Sequence, residues 1–193
     1  MTSIKDKRAL IGESEKNFAY NLAATVLDKP KISVWMILVP IIIVFYMYKH
    51  KKYVSDRDVF AENYLIERNR ALEATVSALE SDKHLHAATA IKSPRIPENT
   101  RKEYTAWMQV LMDHYTALLR CDGETIESLL KSAYQNRTNY LLFLNQLNTV
   151  EKQFNAALMP HLQEANENVV EIIQRMELDS EKLRREEMTR VFS

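Results

Sequence analysis

The chain has 193 residues, and lysine plus arginine equals aspartate plus glutamate at 26 each, so its formal net charge is zero. That balance argues against nucleic acid as a partner, because binding phosphates needs a basic excess on at least one face. Two glycines leave few positions for hairpin turns, and Cys121 as the single cysteine excludes an internal disulfide and fits a reducing compartment.

Residues 1–30 read as an amphipathic helical arm. Ser3 is a candidate cap, and Ile4, Ile11 and Phe18 recur at seven-residue spacing, with Leu22 and Val26 continuing the stripe. Lys5, Lys7, Arg8 and Lys16 give the arm a basic side, diluted by Asp6, Glu13 and Glu15. Such a stripe fits either an anionic lipid surface or the protein's own helices. Lys29-Pro30 ends the helix, since the residue before proline avoids the helical region.

Residues 31–52 carry the strongest signal in the chain. Ile32, Trp35, Met36, Ile37, Leu38, Val39, Pro40, Ile41, Ile42, Ile43, Val44, Phe45, Tyr46 and Tyr48 form an uncharged apolar run. Lys29 and Lys31 flank it on one side and Lys49, Lys51 and Lys52 on the other. A run apolar all round is not a surface helix of a soluble domain. Its position and its exit through two tyrosines fit no cleaved signal. From Ile32 to Tyr48 a helix would rise roughly 25 Å, slightly short of a ~30 Å hydrocarbon core. Flanking lysines that snorkel, with Trp35, Tyr46 and Tyr48 as interface residues, make up the difference.

Pro40 opens two arrangements. One is a kinked single span, and the other is a broken hairpin that leaves both flanks on one side. Each hairpin arm, Ile32 to Val39 and Ile41 to Tyr48, would reach only roughly 12 Å, and its freed backbone groups would need partners in lipid. The single span is therefore the expectation. Lys49, Lys51, Lys52 and Arg57 against Lys16, Lys29 and Lys31 lean towards a cytoplasmic carboxyl-terminal body.

Residues 53–193 read as a soluble helical bundle. Leu65, Leu72 and Leu79 recur every seven residues, widened by Phe60, Tyr64 and Val76. Arg68 and Thr75 at the intermediate positions make a poor two-stranded zipper and favour packing against several helices. A linker at about 84–100 contains Pro94 and Pro97, and Thr100-Arg-Lys-Glu103 behind it has the capping-box pattern. The helix it opens carries Tyr104, Trp107, Met108, Leu111, Tyr115 and Leu118 on one side, and Asp122-Gly123 stops it. A shorter helix turns Ile126, Leu129, Leu130 and Ala133 inward.

From Thr138 to about Val191 the pattern is helical throughout, with an inward stripe running from Tyr140 through Phe154 to Met176. Its phase survives Pro160, which predicts one long kinked helix. Glu181 to Arg190 reads as a solvated, charged helix end with little to bury. The fold class expected is all-α: a single membrane-spanning helix followed by a helical bundle with a long kinked C-terminal helix.

Catalytic spacing is missing. His84-Leu85-His86 is the most ligand-like pair, but a metal site needs three or four ligands. His114 and Cys121 stand two helical turns apart, ~10 Å, too far for a thiolate pair. Neither His114 nor His161 has the glutamate three residues before it that a di-metal bundle requires. Tyr104, Trp107, Tyr115, Tyr134 and Tyr140 read as core. The expectation is thus a membrane-anchored scaffold or adaptor with no catalytic residue, cofactor or metal. It would meet membrane lipid through the anchor and a protein partner, or its own copies, through the C-terminal helix. The weaker alternatives are a monotopic protein inserted through the Pro40 hairpin and a metal-dependent membrane-bound enzyme.

Overall fold

The computed structural model describes residues 2–27, 56–81, 87, 96–163 and 169–193. The apolar run, its flanking lysines, His84 and His86 lie outside the described residues. Among the described residues every regular element is helical, and no helix is long and apolar enough to cross a membrane.

The helices are α1 (Ile4–Leu27), α2 (Asp56–Glu80), α3 (Arg101–Arg120), α4 (Ile126–Tyr134), α5 (Arg137–Gln163) and α6 (Val169–Val191). Five of them close a ring in which α1 packs on α2, α2 on α3, α3 on α5, α5 on α6, and α6 back on α1. The short α4 covers one end, touching α1, α3, α5 and α6.

Paired side chains fix the directions. Arg8 meets Glu73 and Glu15 meets Arg68, so α1 and α2 are antiparallel. Trp107 meets Glu151 and Phe154, and His114 meets Phe143, so α3 and α5 are antiparallel. Asn148 meets Arg184, and Asn155 meets Glu177, so α5 and α6 are antiparallel as well. Leu27, Asp56, the Glu98–Thr100 turn and Gln163 therefore share one end, which we call proximal. His161 Nε2 lies 3.1 Å from Asn99 Oδ1 there. Thr2, Cys121, α4 and Phe192 share the distal end, where Thr2 Oγ1 donates to Gly123 O at 2.9 Å and Phe192 packs on Tyr140.

The apolar stripe of α1 packs on the protein's own helices: Ile11, Leu22 and Val26 are buried, with Ile4 and Phe18 packed beside them. Helix α1 thus packs as part of the bundle. Ser3 starts α1 as expected, its Oγ accepting from Asp6 N at 3.1 Å while Ser3 N donates back to Asp6 Oδ2 at 3.2 Å. Helix α3 is buried on more than one stripe, since Val110, Met112 and Leu119 join the predicted residues in the core. It is flanked by α1, α2, α4 and α5.

Four local expectations need correction. The carboxyl-terminal run is two helices, because the chain reverses between Gln163 and Val169 instead of bending once. Pro160 sits inside α5, which ends three residues later. The stripe kept its phase because both helices turn an apolar face to the same core. Secondly, the 181–190 stretch is not merely solvated: Arg184 and Met188 are buried, as is Val191 just beyond. Thirdly, Thr100 does not cap α3 with its side chain, since its Oγ1 donates to Pro97 O at 2.9 Å across a 3-10 turn. A reciprocal cap occurs instead at Thr125 and Ser128 on α4, where serine takes the role that the pattern reserves for glutamate. Lastly, Gly123 has no positive φ. A Cβ there would stand 2.5 Å from Ser128 Oγ and 2.9 Å from Leu129 N, so glycine is needed for close approach to α4.

Candidate functional site

Midway along the bundle the ring helices bury charge. Arg68 on α2 is 3% exposed and Arg184 on α6 is 4% exposed. Arg68 donates to Glu15 on α1 through Nη1 (3.0 Å to Oε2) and to Glu151 on α5 through Nη2 (2.5 Å to Oε1). Arg184 Nη1 lies 2.6 Å from Glu151 Oε2 and donates to Asn148 Oδ1. Helix α3 adds two neutral donors, Tyr115 Oη to Glu15 at 2.7 Å and Trp107 Nε1 to Glu151 at 3.2 Å. Tyr64 accepts from Arg184 at 3.3 Å, and its ring lies under the Arg68 guanidinium. All five ring helices supply a member.

Two arginines against two glutamates make the cluster self-neutralising. Burial works against the Arg68 cation, but Glu15, Tyr64 and Glu151 outweigh it and hold the guanidinium well above its ordinary pKa. Burial likewise opposes the Glu151 carboxylate, and Arg184 and Arg68 pull it below the usual range. Desolvation, then the Glu15 charge, push the Tyr115 phenol up, so it stays a donor.

A cavity of about 50 Å³ adjoins the cluster, lined by Glu15, Arg68, Arg184 and Glu187 on its polar side and by Leu130 and Phe143 on its apolar side. That is room for a few waters, which need ~10–15 Å³ each, and far below the ~300–1,000 Å³ of a small-molecule pocket. Arg68 Nε is the one buried side-chain polar atom without a hydrogen-bond partner among the described residues. Glu187 accepts from Tyr140 Oη at 3.1 Å. Burial raises its pKa, the tyrosine hydrogen bond opposes that rise, and the nearby Glu15 charge adds to it.

Towards the distal end a nest of neutral aromatic groups surrounds His114, while the buried Lys7 donates to Leu119 O at 3.3 Å and lies 3.8 Å from Asp122. His114 stacks on Phe143 with ring centroids 4.3 Å apart, and its Nδ1 lies 2.7 Å from Tyr134 Oη. Burial, aided by Arg68 and Arg184, lowers its pKa from 6.5 to about 3, so the ring is uncharged at neutral pH. Tyr134, Tyr140, Phe143 and Phe192 continue the nest. Tyr104, by contrast, joins Trp107 and Phe154 nearer the proximal end and donates to Glu67.

Of the residues weighed for chemistry, His114 is a core ring and Cys121 is half-buried just past the end of α3. His161 meets Asn99 near the proximal end. No group of His, Cys, Asp or Glu among the described residues is arranged to hold a metal ion. The membrane-anchor residues lie outside the described part, so the structure neither assembles nor disperses them. Sequence reasoning passed over the Arg68 cluster. Arg68 interrupting a leucine heptad was its only visible trace.

No family model, curated protein or solved structure matches the chain.

Proposed function

We propose that the protein is a membrane-attached helical scaffold, held to one face of a bilayer by the 32–48 run and presenting its bundle to a protein partner. The observation that carries this reading is the antiparallel packing of α1 on α2, which brings Leu27 and Asp56 to the same end of the bundle. A span that separated α1 from the remaining helices would pull Glu15 away from Arg68 and leave the apolar stripe of α1 without its partners. A one-sided insertion keeps both. Arms of roughly 12 Å match one leaflet of a ~30 Å core, and Pro40 lacks the amide that a turn there would otherwise strand. The freed carbonyls near the turn are the cost of this arrangement.

The self-neutralised Arg68 cluster is read as scaffold. Its charged members satisfy one another, and its phenol–carboxylate pair, Tyr115 and Glu15, is buried beside a cavity with room only for a few waters. The partner surface expected on the C-terminal helix is confined to the outward face of α6, with Leu178, Lys182, Arg185 and Thr189 exposed, since the opposite face is core.

Protease protection of tags at the two termini, in sealed membrane vesicles, tests the attachment. Both termini lie at the distal end, so both tags should share one side. Tags on opposite sides would establish the single span and overturn the one-sided reading.

A further inference from the structure

We infer that the bundle stands end-on to the bilayer, with its proximal face docked on lipid headgroups and its distal end, with α4 and Cys121, held away from them. This rests on the one-sided attachment proposed above and adds to it an orientation and a docking surface.

Chain length sets the first constraint. Ile32, the start of the apolar run, is five positions after Leu27, and Asp56 is eight positions after Tyr48. At ~3.6 Å per residue the shorter connection reaches at most about 18 Å, so the proximal end must lie within that distance of where the run enters lipid. Both connections leave the same end, so the two tethers restrain it together.

A tether alone would let the bundle tip over and lie on its side. That posture needs an apolar band along one side to insert between headgroups. The exposed large apolar residues among the described ones are Ile66, Leu142 and Leu178, on α2, α5 and α6 respectively. They stand on three helices and form no band. The one amphipathic stripe that could have served, Ile4 to Val26 of α1, is spent on the bundle's own core. Among the described residues the sides thus offer no apolar band to insert.

The proximal face is polar and mixed in charge, as a surface meeting headgroups with both phosphate and ammonium groups can be. Asn99 and Lys102 are exposed around the Glu98–Thr100 turn, beside an exposed Arg101 whose Nε lies 2.7 Å from Glu98 Oε2. The 24-residue α1 is about 36 Å long, so an upright bundle places its distal end roughly that much farther from the lipid.

The test uses full-length protein in a Cys121→Ser background, with fluorophores at single cysteines introduced as Asn99→Cys or Glu124→Cys, both exposed positions. The vesicles are phosphatidylcholine with an anionic lipid, and a fraction carries a nitroxide on the headgroup. Flotation of each labelled protein is measured alongside quenching, and circular dichroism confirms the fold. End-on docking gives several-fold stronger quenching at position 99 than at 124. Equal quenching at both, or stronger quenching at 124, overturns the orientation while leaving the attachment intact. Protein that does not float with the vesicles removes the attachment and the orientation together.

Discussion

The middle of the bundle and its distal end are both buried and both contain titratable groups, yet they handle burial in opposite ways. In the middle, Arg68, Arg184, Glu15 and Glu151 remain charged, because each guanidinium meets a carboxylate and each carboxylate meets a guanidinium. At the distal end His114 has arginine charges nearby and no anion in contact, so it stays neutral and stacks. Each charge of the central cluster meets its counter-charge on another helix. The middle therefore holds helices together through mutual dependence of charges, whereas the nest around His114 does so through shape and ring contact.

Removing one charge from the middle should produce the largest effect. Arg68→Met keeps much of the side-chain volume but leaves Glu15 without its salt-bridge partner and Glu151 with only Arg184. Breaking a buried pair in this way costs about 3–5 kcal/mol, a large part of the stability of an ordinary domain. The urea midpoint should fall accordingly. Adding Glu15→Gln to Arg68→Met should recover part of the loss, since an amide tolerates the vacancy better than a carboxylate. A double variant no more stable than the single one would mean that Arg68 acts by packing instead.

At the distal end the matching substitution is His114→Phe, which keeps the ring and loses the contact with Tyr134. Its signature lies in the pH dependence. The folded-state pKa of His114 is depressed from 6.5 to about 3, so its contribution is fully present above 6.5 and is lost as pH falls towards 3. Across that window wild type should lose up to ~1.4 kcal/mol per pH unit relative to His114→Phe. Parallel pH profiles for the two proteins would show that the histidine is charged in the fold. Gly123→Ala probes the same end by sterics: its Cβ must displace Ser128 or the start of α4, for about 1–3 kcal/mol.

Glu187 lies between the two regions and should show a weaker effect of opposite sign. Its pKa is raised, so its contribution is full below 4.5 and falls as pH rises from there. The groups that set it are Tyr140 on α5, Glu15 on α1, and Arg184 and Arg190 on α6. Glu187→Gln cannot ionise and should gain on wild type as pH rises above 4.5, by a fraction of the His114 slope. A difference that grew towards acid pH would reverse the assignment.

How much of this contrast the sequence discloses follows from what periodicity measures. A stripe reports that a helix has a buried face, and it located α1, α3, α4 and the inward residues of α5 and α6. It does not report which helix lies opposite. Two antiparallel helices facing one core therefore looked like a single kinked one across Pro160. The charged cluster was illegible for a related reason. Glu15, Arg68, Glu151 and Arg184 stand as far as 169 positions apart, and each alone resembles a solvated charge. Only the α2 heptad carried a hint, because Arg68 and Thr75 occupy positions where leucine would be expected, and both are buried. The same blindness applied to α1, whose stripe was compatible with lipid until its partner helix was known.

The smallest expected effect tests whether the boundary of the distal region is strained. Gln135, which ends α4, has φ 66° and ψ −38°, the sole positive φ among the described residues. Asn136 N donates to Tyr134 O at 2.7 Å across it, the pattern of a positive-φ γ-turn, which a side chain disfavours. Two further bonds hold the turn, from Asn139 Nδ2 to Tyr134 O at 3.0 Å and from Asn139 N to Asn136 Oδ1 at 2.9 Å. Gln135 is exposed, so replacing it removes no packing. Gln135→Gly relieves the Cβ penalty but frees the unfolded chain, and the two terms leave a net gain of about 0.5–1 kcal/mol. The thermal midpoint should rise by a few degrees, while Gly123→Ala at the other flank of α4 lowers it. Glycine would then be wanted where the chain has glutamine, for backbone angle, and required where it has glycine, for closeness. A midpoint that drops in Gln135→Gly would mean that the turn is held without strain.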